Sequence, residues 1–471
     1  MFLIKKKIFY TTMKLINKQH KLFLLIFLLF LIAKIFSLFV AHDIWWDSSV
    51  YVGMGKYIYS FGNIGVWEPS RPIIWPLILG LFWKLGLDYI FFGKLLVTLF
   101  SLGILLLTYL IAHELFDRKI AVIAALFLSL SSTFFVFGNI LHSEIPSTFF
   151  VLLGFYFFVK KKYTFSGLFL GIAFMTRFFQ IFAVVPLILF LFYLAMKKKE
   201  SFNVLLYFLL LFIIPVIPYL ILNYFLYNNI FYPFLLQSWM SKYTGWVFSQ
   251  PFYFYFVELV KENVLVLFSI IGLIFIFKKY NAEKISFVLV FLFLFIPYNL
   301  IAHKEMRLLM TALPFLYILT SYGIFYFIGF FKKNKNLLLS LLLIIFLILN
   351  VPKLRFDKYD NNLDMFYDYV ENEKISNGLW ISNPAFIAYS ENKAELIYYP
   401  LYNSEKIDSL ISNIDNAKHV LINTCDLLPC PNSDNICNQK HDDFINLLKE
   451  RFDLKFYNKY DSCEYYIFSL S

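Results

Sequence analysis

Charge is what this chain has least of. Only 15% of its 471 residues are Asp, Glu, Lys or Arg, while 60% are hydrophobic and 21% aromatic, with a mean hydropathy of +0.68. No soluble globular protein needs that much apolar surface, so the composition implies a chain that crosses a membrane many times. A cleavable leader is not expected either. The first apolar run, Lys21 to Val40, spans 20 residues without a small-x-small cleavage site, and reads as an uncleaved first helix. A single basic face is missing too. The net charge is +11, but the lysines fall in short clusters between apolar runs, which excludes a nucleic-acid partner.

Those clusters set a topology. Lys5 to Lys18 precede the first span, and Arg118 and Lys119 follow Tyr89 to Ala112. Lys160 to Lys162, Lys197 to Lys199, Lys278 to Lys284 and Lys332 to Lys335 follow later apolar runs. With these on the cytoplasmic side, the expectation is about eleven spans, N-terminus in and C-terminus out. The chain is then a multi-pass protein of the cell membrane. The segment Arg71 to Gly86, opened by Pro72 and Pro76, reads as an interfacial helix.

The outer side then gathers a specific set of residues: Asp43, Asp47, Glu68 and Arg71 from the first loop, His142 and Glu144 from the second, Arg177, and the run His303-Lys304-Glu305-Met306-Arg307. Three full charges buried in hydrocarbon would cost about 8–10 kcal/mol, so that run lies at a surface or in a wet cavity. A transporter would place such groups near the midplane, at broken helices.

Beyond Val351 the long apolar runs stop, and residues 352–471 read as a soluble outer α/β domain following a membrane domain of residues 1–351. Strands are expected at Gly378 to Ile387, Ala394 to Tyr399, Lys418 to Asn423 and Tyr465 to Leu470, and helices at Ser404 to Ile414 and Asp442 to Phe452. All four cysteines, Cys425, Cys430, Cys437 and Cys463, are here. An even count on the outer side favours disulfides, and the spacing has no paired C-x2-C unit for zinc. Three pairings are open; Cys425 with Cys463 would tie two expected strands.

A base at a membrane surface, cations for a phosphate and an apolar groove suit a transferase with a lipid-linked substrate. An outer active site works without cytosolic nucleotides, which points to sugar transfer from a polyprenyl phosphate. The motifs carry a resemblance of the same kind. Trp46-Asp47-Ser48-Ser49-Val50-Tyr51, then Gly62, Gly65, Trp67-Glu68-Pro69-Ser70-Arg71-Pro72 and Pro76, resemble the first outer loop of the GT-C glycosyltransferases. Ser143-Glu144-Ile145-Pro146 resembles their second acidic motif, and Gly171 to Arg177 their small-residue helix ending in Thr-Arg. The His303 to Arg307 run resembles the family-22 mannosyltransferases, with Leu308 where that family has phenylalanine; the remainder is closer to the family-39 protein O-mannosyltransferases. The resemblance covers roughly Leu22 to Phe331. It implies an all-α polytopic GT-C domain.

The activity implied is an inverting transfer of a sugar, mannose by resemblance, from polyprenyl or dolichyl phosphate to a hydroxyl of a glycan, lipid or protein. Asp47 would take the acceptor proton; the plainer reading is a cap on the helix-like run Ser48 to Ser60. Asp43 competes for that position, since Trp46-Asp47-Ser48 replaces the family's Pro-Asp-Glu. Glu144 is a second catalytic candidate, or a helix-start acid. Lys304 and Arg307, with His303, Arg71 and Arg177, are expected on the donor phosphate, against snorkelling as the plainer reading. Glu68 and Glu305 would orient these cations. No metal is required by the motifs; a divalent cation is the one cofactor they leave room for. The rival readings are a transporter or flippase of lipid-linked sugars and a non-catalytic membrane anchor.

Overall fold

A computed structural model describes residues 18–40, 42–243, 248–278, 281–331, 333–360, 363–375, 378–397, 404–427, 435–460 and 462–470. The membrane part begins with α1 (Lys18–Leu38), α2 (Trp46–Tyr59), α3 (Ile74–Lys84), α4 (Tyr89–Leu115), α5 (Arg118–Ser129) and α6 (Ser132–Phe137). It continues with α7 (Glu144–Val159), α8 (Tyr163–Thr176), α9 (Ile181–Met196), α10 (Phe202–Ile213), α11 (Ile217–Tyr227) and α12 (Tyr232–Tyr243). It closes with α13 (Phe254–Glu262), α14 (Phe268–Lys278), α15 (Ala282–Leu300), α16 (Leu313–Gly329) and α17 (Lys335–Asn350). Among the described residues, five helices are long and apolar enough to cross a membrane. The pair α10 and α11, bent by 46° at a break containing Pro215, makes a sixth candidate, and five shorter apolar helices accompany them. The helix α3 has 11 residues, about 16 Å, which is too short to span.

The helices have two chemically distinct ends. At one, Lys160 pairs with Glu114, the Tyr163 hydroxyl donates to Glu200 at 3.1 Å, and Lys284 lies 4.9 Å above the Phe116 ring. Lys160 and Lys284, and Glu200 beside the Lys197 to Lys199 cluster, therefore lie at one end. At the other end lie Asp47, Glu144 and the C-terminal segment. The helix α7 joins the two ends, from Glu144 to Val159.

The C-terminal segment holds a five-stranded sheet of β1 (Leu379–Ile381), β2 (Ala394–Leu396), β3 (His419–Asn423), β4 (Phe452–Tyr460) and β5 (Cys463–Leu470), in the order β2-β1-β3-β5-β4. The strand β1 is parallel to β2 and β3; β5 is antiparallel to β3 and β4. Helices α18 (Asp364–Asn372), α19 (Ala385–Tyr389), α20 (Ser404–Ser412) and α21 (Asn435–Arg451) flank it. Two expectations change. The strand expected over Gly378 to Ile387 ends at Ile381 and gives way to α19, started by Pro384. The run from Phe452 forms β4, where no strand was expected; it is an edge strand with Phe452 alone buried, so its apolar alternation is weak. Cys425 and Cys463 are disulfide-bonded, tying the turn after β3 to β5. Cys430 lies outside the described residues, and so does any pairing of it with Cys437.

The sheet and the membrane helices share one core. The Lys56 ammonium on α2, itself buried, donates to the Ser390 carbonyl at 3.0 Å and to Glu391 at 3.1 Å. The Tyr89 hydroxyl donates to the Ala388 carbonyl at 2.6 Å, and the Trp45 indole to Asp357 at 2.6 Å. Gly65 of the first loop pairs with the edge of β2 through Asn392 and Ala394. Its φ of +91° and its contact with the Gly53 carbonyl, 2.2 Å from any added Cβ, admit only glycine.

Candidate active site

Asp47 is in the first turn of α2, where the helix dipole favours an acid. It does not cap the helix: Trp45 holds the cap position, and the Asp47 carboxylate turns to two arginines. Arg71 donates to Oδ1 at 2.7 Å, and Arg307 donates to Oδ2. Each arginine is held from behind by a second carboxylate. Arg71 Nε lies 3.1 Å from Glu68, which also accepts from the Ser70 hydroxyl at 2.8 Å. Arg307 is gripped through Nε and Nη2 by Glu305, at 2.8 and 3.0 Å. Glu144, at the start of α7, lies 3.7 Å from Arg307 and 3.1 Å from Arg177. The result is one chain of alternating charge, Glu68–Arg71–Asp47–Arg307–Glu144–Arg177, built from five stretches of sequence.

Local structure fixes each member. Arg177 stands in extended conformation between α8 and α9, and Gln180 anchors that break by donating to the Ser147 and Thr311 hydroxyls, each at 2.8 Å. Arg307 lies in a 3-10 turn, Met306–Leu309, whose lead-in pairs with residues 248–250: Gln250 donates to the Ala302 carbonyl and Lys304 to the Phe248 carbonyl. The Tyr51 hydroxyl bonds the Ser143 hydroxyl at 2.9 Å, and the Tyr51 ring lies 5.1 Å below the Arg71 guanidinium.

Electrostatics follow from this arrangement. Burial opposes a charge on Asp47, but Arg71 and then Arg307 override it and hold the carboxyl well below its usual range. Burial likewise works against Glu305, yet the His303 and Arg307 contacts hold it at about 2. His142, wedged between Trp45 and Phe137, is pushed down to about 4 by burial and by Arg307. It is therefore neutral, and its Nδ1 accepts from Arg307 at 3.3 Å.

Of the sequence candidates, Asp47, Glu68, Arg71, Glu144, Arg177, Glu305 and Arg307 come together, with His303 on Glu305 at 2.6 Å. Lys304 does not join them. It is buried, and its ammonium donates to the Gln250 and Ile301 carbonyls, closing the loop. Asp43 lies at the seam with the C-terminal segment, its N–H on the Tyr359 carbonyl at 2.7 Å. Among the described residues, no three His, Cys, Asp or Glu side chains are grouped to hold a metal ion.

Residues 70–221 match the family model for dolichyl-phosphate-mannose-protein mannosyltransferases, roughly a third of the chain. Among solved structures, the archaeal oligosaccharyltransferase AglB from Archaeoglobus fulgidus, in complex with an inhibitory peptide and a dolichol-phosphate, superposes with a TM-score of 0.60. It is 13% identical over 85% of this chain and 69% of that one. ArnT from Cupriavidus metallidurans bound to undecaprenyl phosphate superposes with a TM-score of 0.51 at 14% identity, over 64% of this chain. This chain spans 59% of the ArnT chain. The fold is that of the GT-C glycosyltransferases. No curated protein sequence matches the chain.

Arg71, Glu144 and Arg177 lie inside the matched stretch; Asp47 and Arg307 lie outside it and are joined to it by the geometry. Two residues carry no signal in the sequence. Gln180 sits unmarked in an apolar run. Tyr298, near the end of α15, is 2% exposed, and its hydroxyl has no hydrogen-bond partner among the described residues. A third did carry a signal: Lys34 interrupts the apolar run of α1, far from the lysines at its start. It is fully buried, donates to the Phe135 carbonyl, and holds the segment leading to His142.

Proposed function

We propose that this chain is an integral-membrane inverting glycosyltransferase. It moves a sugar, mannose in this reading, from a polyprenyl- or dolichyl-phosphate donor to an acceptor hydroxyl on the outer face of the membrane. The observation that carries the reading is Asp47 held between Arg71 and Arg307 at the end of the helices opposite the lysine clusters. AglB and ArnT, whose structures hold dolichol-phosphate and undecaprenyl phosphate, support a donor of that class. The family model supports mannose.

In this reading the acceptor oxygen attacks the anomeric carbon, the bond from that carbon to the phosphate oxygen breaks, and polyprenyl phosphate leaves. Asp47 takes the hydroxyl proton. With both oxygens occupied by guanidinium groups, Asp47 is a poor base at rest. A donor phosphate changes that: it competes for Arg307 and Arg177, and drawing Arg307 away from Oδ2 restores basicity where the acceptor must be deprotonated. The same guanidinium then neutralises charge growing on the leaving phosphate. The Tyr298 hydroxyl supplies a buried donor beside Arg177. A metal is not needed in this scheme, because arginines already occupy both oxygens of Asp47.

A carrier of lipid-linked sugars would bind its cargo at a broken span. The break between α10 and α11 lies in a stretch, Phe202 to Tyr227, without a single Asp, Glu, Lys or Arg. The test is transfer of labelled mannose from dolichyl phosphate by the purified protein. Asp47→Asn is expected to abolish transfer while donor still binds; full activity in that variant sinks the mechanism.

A further inference from the structure

A second site opens directly beside the charged chain. A cavity of about 590 Å³ lies between the first loop, α12 and the edge of the C-terminal sheet. Small-molecule sites fall at roughly 300–1,000 Å³. Its lining includes the rings of Tyr57, Trp67 and Trp239 and the charged groups of Glu68, Lys393 and Glu395. Tyr57 and Trp67 stand 5.7 Å apart, and the Trp67 indole is fixed by donating to the Tyr227 hydroxyl at 2.6 Å. Lys393, just before β2, and Glu395, on it, are exposed. Fixed aromatic faces beside carboxylates and an ammonium suit a saccharide, whose C–H faces pack on rings while its hydroxyls bond the polar rim.

The cavity is connected to the proposed chemistry through Glu68. That residue lines the cavity and holds Arg71, which in turn holds Asp47. The opposite end of the charged chain, Glu144 and Arg177, belongs to the membrane helices. Asp47 is therefore linked through Arg71 and Glu68 to an aromatic cleft, and through Arg307 to the apolar helix bundle. Gly65 stitches the first loop, which carries Glu68 and Arg71, to the edge of β2 that lines the cleft.

We propose that this cleft is the acceptor site and that the acceptor is a glycan, its outermost sugar presented to Asp47. The inference rests on the glycosyltransferase reading, and its test is kept separate from donor cleavage. Isothermal titration of the full-length protein in detergent would use a panel of mannobiose, cellobiose and chitobiose, and a Ser/Thr-containing peptide. At least one disaccharide is expected to bind. The affinity should fall about tenfold or more in Trp239→Ala and in the exposed pair Lys393→Met with Glu395→Gln. The surface pair guards against a folding defect in the tryptophan variant. Binding of the peptide with no disaccharide bound overturns the proposal, as does disaccharide affinity unchanged in both variants or no binding at all. Cleavage of dolichyl-phosphate mannose by the wild-type protein, scored on its own, tests the transferase reading, so the two ideas fail separately.

Discussion

Arg307 reaches Asp47 across 260 residues of sequence, and Glu305 holds the same guanidinium by its other edge. One planar side chain thus hydrogen-bonds two carboxylates and lies 3.7 Å from a third, Glu144. A lysine has the charge but not the fork. Arg307→Lys is expected to keep the fold and to lower kcat about 10- to 100-fold, with donor affinity falling less. Steady-state kinetics with the labelled donor check this; an unchanged kcat would remove Arg307 from the leaving-group side.

His142 makes stability depend on pH in a defined direction. Burial and Arg307 lower its folded pKa from 6.5 to about 4, so between those values the unfolded chain binds a proton that the folded chain refuses. Stability therefore falls as pH drops from 6.5 towards 4, by about 3 kcal/mol at most for this residue. Melting curves at pH 7 and 4.5 should show a smaller loss for His142→Gln than for wild type. Equal losses would place the acid sensitivity elsewhere.

Much of this site was legible because the chain is so poor in charge. Asp47, Glu144, Arg177 and Arg307 each end or interrupt an apolar run, where an ionisable group has to find water or a partner. Lys304 shows the limit of that logic. It sits three residues from Arg307, yet the pairing of 302–304 with 248–250 turns it onto carbonyls, and no pattern in the sequence announces that contact. Tyr298 is hidden for another reason: with 33 tyrosines, one more near a helix end reads as part of an aromatic belt. The sheet was legible where strands are buried, at β3 and β5. It failed at β4, whose exposed edge position leaves little hydrophobic pattern to read.

The two ends of the bundle make a topological prediction. Lys160 and its neighbours lie at one end, and the Glu305 loop at the other. With single cysteines introduced beside Lys161 and Glu305 in a background lacking the native cysteines, an impermeant maleimide applied to intact cells should label only the Glu305 site. Labelling of both, or of the Lys161 site alone, would invert or dissolve the assigned orientation.

Metal dependence can be argued from the occupancy of Asp47. A divalent cation at the proposed base would need carboxylate oxygens, and Arg71 and Arg307 already hold both of them. Glu68 is bound to Arg71 and Ser70, and Glu144 faces Arg177 and Arg307. A cation entering this chain must displace a guanidinium and would meet its positive charge at about 4 Å, a repulsion of about 4 kcal/mol per unit charge near a protein surface. Sugar transfer is therefore expected to persist in excess EDTA, and added Mg²⁺ or Mn²⁺ to leave the rate within about twofold, well under 1 kcal/mol. Loss of activity in EDTA with recovery on adding Mn²⁺ would mean that an arginine leaves Asp47 to a metal before the sugar moves, and the base would then have to be sought at Glu144.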